Sequence, residues 1–390
     1  MSQFFISCSL GTEADLVSEL KSFWFEMMDL DGQPTRCVLQ EHQILTGGVE
    51  LEIPEHLGFQ INLFSKLAHR VLLRVHKFEA RYFDQLEKEF KKFELEKWLE
   101  PQKLILKIET HKSRINNQKS IEESLTPLLK AKKFLVTTGG AEGDAAKEVQ
   151  ALYIRIDKDR VTLSLDTSGP HLHKRGYGVY RGEAPIREVF AAFIFKQLRK
   201  NSLSMQDLSV IDPFAGSGTI LFEAQSEMFP LFKRNYAWMH FKNRPKLFKS
   251  ETWMQNYRWL RPENHVAAYA IDIEPKSITN MEENQKIFND LFPQVKSQIN
   301  MICDDSLSVD LGPYKALQNA WVITNPPYGH RLHEGSAVQI LERFESEIPL
   351  QGMVLVHPDA WYFNFTRLKL VSKLDFKNQG LNLKLSVYSV

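Results

Sequence analysis

No stretch of this chain is long and apolar enough to span a bilayer. The longest clearly apolar run, Val189 to Phe195, falls far short of the roughly 20 residues a membrane helix needs. Cysteine is scarce. Cys8, Cys37 and Cys303 are scattered, without metal-type spacing or a disulfide framework, which fits a reducing cytoplasm and predicts no metal. Met1-Ser2-Gln3-Phe4-Phe5 lacks a basic stretch followed by an apolar one, so no secretion signal is read there. Net charge is nearly absent as well: 49 basic against 48 acidic residues leave +1. Residues 1–180 carry 25 Lys and Arg against 26 Asp and Glu, and the remainder 24 against 22. Neither half is a basic block, so any nucleic-acid contact must come from local patches.

What is present is ordinary for a soluble globular protein, with 43% hydrophobic and 25% charged residues. A length of 390 residues suggests two or three domains. The first hundred residues alternate short strands and helices in an α+β manner. Residues 4–10 read as a strand, and Thr12 with Asp15 as a capping box opening a helix over 13–24. Gly47 to Ile53 reads as a turn and strand, 57–67 as a helix, 70–78 as a strand and 82–93 as a helix.

Residues 103–166 are different in kind. Lys103 to Glu109 is an alternating strand, and Lys103–Lys119 carries five Lys and Arg against one Glu. A helix over 120–130 and strands over 152–157 and 161–166 complete the unit. Clustered cations beside amides and hydroxyls suit phosphate contacts; a solvated charged face is the plain alternative. Gly169-Pro170 then marks a boundary. In the segment from His171 to Arg187, basic residues alternate with aromatics and glycines, as in a linker that tracks a nucleic-acid backbone with Tyr177 or Tyr180 free to stack. Candidate RNA contacts are Lys112, Arg114, Lys119, Lys174, Arg175, Tyr177 and Arg181. His171 and His173 lack acidic or cysteine partners, which argues against a metal site.

From residue 186 the pattern turns α/β. A helix over 186–200 leads to the strand Leu208 to Ile211, then Asp212-Pro213-Phe214-Ala215-Gly216-Ser217-Gly218-Thr219, then a helix over 220–227. Strand, glycine-rich turn and helix form a place where backbone approaches a ligand closely. No Gly-Lys-Ser/Thr follows, so it is not a triphosphate loop, and the third glycine of a dinucleotide fingerprint is missing. An aromatic insertion over 228–265 is expected to pack against the sheet. Val266 to Asp272 is the next strand, and its terminal acid can accept both hydroxyls of a ribose. Ile299 to Asp305 ends in acids placed for an adenine amine. The apolar run Ala320 to Ile323 leads into Thr324-Asn325-Pro326-Pro327-Tyr328. Two prolines stop that strand and stiffen its end. The loop carries an amide, a free carbonyl and an aromatic ring, the parts needed to grip a planar group bearing an NH2.

Asp212 to Thr219 together with Asn325-Pro326-Pro327-Tyr328 resembles the class I S-adenosylmethionine-dependent methyltransferases that modify exocyclic amines. Lys174-Arg175-Gly176-Tyr177, Gly182-Glu183-Ala184-Pro185 and Gly329-His330-Arg331-Leu332 narrow the resemblance to the THUMP-domain RNA methyltransferases. Gly11-Thr12-Glu13, Gly47-Gly48-Val49 and Ala68 to Arg74 look like the bacterial group that makes N2-methylguanosine in 23S ribosomal RNA. Ala215 stands where many relatives are expected to carry cysteine.

The resemblance implies a ferredoxin-like region over 1–60 and a THUMP RNA-binding domain over 61–167. A linker over 168–185 and a Rossmann-like seven-stranded α/β catalytic domain over 186–390 follow. It implies S-adenosylmethionine as cofactor, RNA as partner and a single methyltransferase activity. Candidate donor contacts are Asp212, Pro213, Phe214, Ala215, Gly216, Gly218, Thr219, Asp272, Ile273, Asp304, Asp305 and Asn325, with Asp304 and Asp305 as alternatives for the adenine. Asn325, Pro326, Pro327 and Tyr328 are the catalytic candidates. Methylation of tRNA guanosine, methylation of adenine N6 and a non-catalytic RNA-binding assembly role are the competing readings.

Overall fold

Period-two burial organises the amino-terminal unit. Along Gly48–Ile53 the side chains of Val49, Leu51 and Ile53 are buried while Glu50 and Glu52 are more open, the pattern of a strand with one covered face. The structure, a computed structural model, describes all residues except 40–41, 138–148, 183–185, 250–252, 258–265, 296–297, 329–333 and 379–380. The chain divides into two compact units, Met1–Leu172 with Phe232–Leu260, and His173–Leu231 with Arg261–Val390.

In the first unit the elements are β1 (Ser2–Ser7), α1 (Glu13–Phe23), β2 (His42–Leu45), β3 (Gly48–Ile53), α2 (Glu55–Phe64) and β4 (Arg70–Glu79). They continue with α3 (Phe83–Lys92), β5 (Lys103–His111), α4 (Gln118–Ala131), β6 (Leu135–Val136), β7 (Gln150–Asp157) and β8 (Arg160–Asp166). The strands form one eight-stranded sheet in the order β2-β3-β1-β4-β8-β7-β5-β6. Because β4 pairs with both β1 and β8, one sheet joins strands from both sides of the boundary expected near residue 60, which falls within α2. Thr12 does not cap α1 through its side chain; its hydroxyl donates to the Ser9 carbonyl at 2.8 Å.

The aromatic insertion corrects an expectation. Residues 232–260 belong to the first unit, not to the one that surrounds them in sequence. Trp238 is fully buried and stacks on Phe59 of α2, with ring centroids 5.4 Å apart and planes 3° from parallel. Its backbone N–H donates to the Thr167 carbonyl at 3.1 Å, and Lys242 N–H donates to the Trp98 carbonyl at 2.9 Å. Tyr257 packs on Phe64 and donates its hydroxyl to Gln60. Each such aromatic buries about 150–250 Å², so the insertion is part of this unit's core. Trp259 lies outside the described residues.

The second unit contains α5 (Glu188–Asn201), β9 (Leu208–Asp212), α6 (Thr219–Ser226), β10 (Ala267–Asp272), α7 (Pro275–Leu291) and β11 (Ile299–Cys303). After these come β12 (Asn319–Thr324), α8 (Glu334–Glu347), β13 (Leu350–His357), β14 (Lys369–Asn378) and β15 (Leu381–Ser389). The sheet order is β11-β10-β9-β12-β13-β15-β14. The first five strands are parallel, and β15 runs antiparallel to both of its neighbours. All five residues of β9 and five of the six in β12 are buried, as expected of parallel strands covered on both faces. Ile211, Ile271, Val322, Leu341, Phe344 and Met353 share one core there. The chain moves outward one way from β9 and the other way from β12. The β9–β12 junction is therefore the switch point beside which ligands bind in such sheets.

Candidate active site

Parallel pairing places the ends of β9, β10, β11 and β12 on a single sheet edge. The sequence motifs spread over more than a hundred residues are thereby collected. Asp212 ends β9. It is buried, and its Oδ1 accepts from the Thr324 hydroxyl at 2.6 Å and from Phe214 N–H at 3.1 Å. Burial pushes the Asp212 carboxyl up to about 7, against the two hydrogen bonds and with the help of the neighbouring Asp272 charge. Asp212 therefore supports the site from below: it ties the glycine turn to the residue just before Asn325.

The turn itself depends on two glycines with left-handed backbone. Gly216 has φ +55° and Gly218 φ +79°, and a Cβ on Gly218 would meet Met281 of α7 at 2.7 Å. Gly216 N–H donates to Asp272 Oδ2 at 2.7 Å, and Glu274 N–H donates to Asp272 Oδ1 at 2.9 Å. Each carboxylate oxygen keeps a further lone pair for a hydroxyl. Ala215 N–H donates to the Ile271 carbonyl at 3.1 Å, and the Pro213 carbonyl accepts from Ser306 Oγ at 2.8 Å. Thr219 opens α6 and is buried, and Phe214 packs against the core. Ile273 follows Asp272 and is 60% exposed, an apolar face at a polar edge. Asp304 and Asp305 each hold a local backbone N–H, that of Asp305 at 2.8 Å and that of Leu307 at 2.9 Å, but Asp304 is exposed and Asp305 only partly so. That difference favours Asp304 as the acid facing a ligand.

Asn325 and Pro326 leave β12 on this same edge. The Asn325 Oδ1 is buried and has no hydrogen-bond partner among the described residues. Such an atom costs about 1–3 kcal/mol until a donor reaches it. Tyr328 packs partly buried against the core that contains Trp361 and Phe363. Gly329 to Leu332 and Glu183 to Pro185 lie outside the described residues.

The structure corrects two of the expected RNA contacts. Arg175 is 4% exposed and Tyr177 1% exposed. Arg175 donates to both carboxylate oxygens of Glu223 on α6, at 3.3 and 3.2 Å, and Tyr177 donates to the same carboxylate at 2.6 Å. Burial and the Glu223 charge raise the Tyr177 phenol well above its ordinary range. A charge and a phenol satisfied inside the core cannot stack on or pair with RNA. Arg181 is half-exposed and bound to the Gly178 carbonyl and Glu188; Lys174 is exposed.

The other expected contacts gather at one end of the first unit. Lys112 and Arg114 in the β5–α4 connection and Lys119 in the first turn of α4 are exposed. Arg114 donates to the Tyr82 hydroxyl at 2.8 Å and sits 5.7 Å from its ring centre. Parallel pairing of β5 with β7 sets Glu109 opposite Arg155 and His111 opposite Asp157. An open concavity of about 260 Å³ is lined by Glu109, Thr110, His111, Gln118, Arg155 and Ile156. Arg155, His111 and Tyr82 were missed from sequence: β5–β7 pairing brings Arg155 to this end, Tyr82 meets Arg114 through a side-chain contact, and His111 directly precedes Lys112. Asp157 and Asp159 interrupt the positive surface there.

The strand order, glycine turn and acid-tipped strands of the second unit define the class I methyltransferase fold. Residues 175–348 match the family model described as RMKL-like, methyltransferase domain. The Ribosomal RNA large subunit methyltransferase K/L of Shewanella woodyi is 25% identical over 379 residues, covering 88% of this chain and 48% of that protein. The chain thus spans about half the length of the K/L relatives it matches. YpsC of Bacillus subtilis, named as a candidate RNA methyltransferase, is 26% identical and covers 85% of this chain and 80% of its own length. SMU.472, a candidate methyltransferase crystallised with SAH, superposes with a TM-score of 0.73 at 20% identity, covering 99% of this chain and 97% of its own. Among the described residues no helix is long and apolar enough to cross a membrane.

Proposed function

We propose that this chain transfers a methyl group from S-adenosylmethionine to the exocyclic N2 amine of a guanosine in RNA, with 23S ribosomal RNA as the substrate. The observation that carries this reading is Asn325. Its buried oxygen, without a partner among the described residues, lies on a loop held by the Asp212–Thr324 bond, on the edge shared with the glycine turn, Asp272 and Asp304. The large-subunit RNA in the names of the K/L relatives and the SAH in the SMU.472 crystal support the substrate and the donor. Guanine N2 rather than adenine N6 follows from the resemblance of the flanking motifs.

The residues present fit the donor. Asp272 has lone pairs for ribose hydroxyls, exposed Ile273 offers a face to a planar base, Asp304 accepts from an adenine amine, and Gly216 and Gly218 admit the methionine portion. S-adenosylmethionine supplies a methyl group on a cationic sulfur, already a good leaving group. The protein's task is therefore placement. The N2 lone pair is delocalised into the purine. Asn325 Oδ1 and the Pro326 carbonyl accept the amine hydrogens, turn the nitrogen toward the methyl and stabilise the positive charge that develops on it. That charge is discharged when the amine proton passes to water. Tyr328 stacks on the base, worth about 1–3 kcal/mol, and a paired guanosine must first leave its stack.

Two variants separate binding from steering. Asp272→Ala lowers donor affinity by about tenfold or more in calorimetry, one lost hydrogen-bonding carboxylate. Asn325→Ala slows methyl transfer to RNA at saturating donor by about 100-fold or more. Normal turnover by Asn325→Ala would refute the steering role.

A further inference from the structure

Asn284 lies on α7, is 1% exposed and carries no motif. Its side-chain amide treats Tyr180 as a neighbouring strand would. Oδ1 accepts from Tyr180 N–H at 3.0 Å, and Nδ2 donates to the Tyr180 carbonyl at 2.8 Å. The same Nδ2 reaches the Ser217 carbonyl, inside the glycine turn, at 3.5 Å. One planar buried amide thus joins α7, the segment preceding α5 and the turn between β9 and α6. Few side chains can do this. Three backbone groups on two separate segments require one acceptor and two N–H donors in a single plane, which is the inventory of Asn or Gln.

The segment so held, Gly176–Arg181, is a strap pinned at three points. Arg175 and Tyr177 anchor its start on Glu223 of α6, the helix that leaves the glycine turn. Arg181 anchors its end, donating to the Gly178 carbonyl at 2.6 Å and to Glu188 of α5 at 2.9 Å. Asn284 anchors the middle. Between the pins Val179 is 62% and Tyr180 44% exposed. The strap therefore has a fixed backbone beside the glycine turn and two free apolar side chains on its outer surface. Such a structure suits a wall against which a ligand is held.

We propose that Asn284 is a positioning residue that fastens this strap to the glycine turn and so sets one wall of the methyl-donor site. This role presupposes the donor site proposed above. It acts through backbone it holds and does not touch the reacting atoms.

The discriminating substitution is Asn284→Asp. It keeps the size and the acceptor for Tyr180 N–H, but it removes both N–H donors and sets a carboxylate against the carbonyls of Tyr180 and Ser217. Asn284→Ser, which retains one donor, is the milder variant and carries the test if the Asp protein does not fold. The full chain is titrated with S-adenosylmethionine and with S-adenosylhomocysteine in a calorimeter, RNA affinity is measured by filter binding, and steady-state constants are determined for both substrates. Expected for Asn284→Asp is a donor Kd and donor KM raised about tenfold or more, with Asn284→Ser intermediate. RNA affinity and kcat at saturating donor stay within about threefold of the parent. Variants that bind donor as tightly as the parent overturn the role of Asn284. So do variants that lose donor and RNA affinity together in step with their melting temperature. A parent chain that binds neither donor nor product overturns the donor-site reading itself, before any variant is compared.

Discussion

Replacing Asp212 with asparagine should remove part of the pH dependence of stability in the carboxy-terminal unit. The Asp212 carboxyl is buried between Thr324 and the Phe214 amide, and its pKa rises from 3.8 to about 7. A raised carboxyl pKa means that the folded state keeps a proton the unfolded chain has already released. The associated stability is fully present below the unfolded value and is lost as pH rises through about 7. Linkage over the window from pH 5.5 to 8 gives a loss of about 2 kcal/mol for the parent. Asparagine carries no titrating proton and contributes nothing to that slope, while its oxygen can still accept from Thr324 and Phe214. Its new NH2 changes the absolute stability, so the readout is the difference between parent and variant at several pH values. Urea denaturation at pH 5.5, 6.5 and 8 should show that difference changing by about 2 kcal/mol, with the parent gaining relative to the variant at low pH. A difference constant to within about 0.5 kcal/mol, the scale of such measurements, would refute the placement of Asp212 as a buried, proton-holding tie.

Other substitutions probe other parts of the account. Trp238→Ala should destabilise the amino-terminal unit by about 3–5 kcal/mol through loss of the Phe59 stack, read as a lowered urea midpoint; an unchanged midpoint contradicts the assignment of the insertion to that core. Glu223→Ala should cost about 3–5 kcal/mol because it removes the carboxylate that accepts from both buried Arg175 and buried Tyr177, whereas a contact residue would lose RNA affinity without loss of stability. Lys112→Ala and Arg114→Ala should each weaken RNA binding and reduce the slope of log K against log salt by about 1, measured by fluorescence anisotropy over a salt series. An unchanged slope would remove those residues from the RNA surface.

The carboxyl-edge motifs were legible because their chemistry sits at strand ends. Asp212, Asp272, Asp304 and Asn325 each close an apolar run, and parallel pairing then has one way to assemble them. Other features depend on pairings that no local pattern encodes. Arg175 and Tyr177 look like a nucleic-acid patch until Glu223, 48 and 46 residues on, supplies a buried partner. The aromatics after Phe232 have no periodicity, so nothing local shows that Trp238 crosses back to Phe59 rather than covering the nearer sheet. Arg155 meets the surface of Lys112 and Arg114 only through the β5–β7 register. Asn284 is an amide in a polar-looking helix, and its value lies in Tyr180 and Ser217, which are distant in sequence.

Methyl transfer to guanine N2 in ribosomal RNA is tested by product identity. The full chain is incubated with isotopically labelled S-adenosylmethionine and, separately, with undermethylated pools of ribosomal RNA and tRNA. Each RNA is then digested to nucleosides for mass spectrometry. The expected product is labelled N2-methylguanosine from 23S ribosomal RNA. Labelled N6-methyladenosine, label confined to tRNA, or no labelled nucleoside in either pool would contradict it.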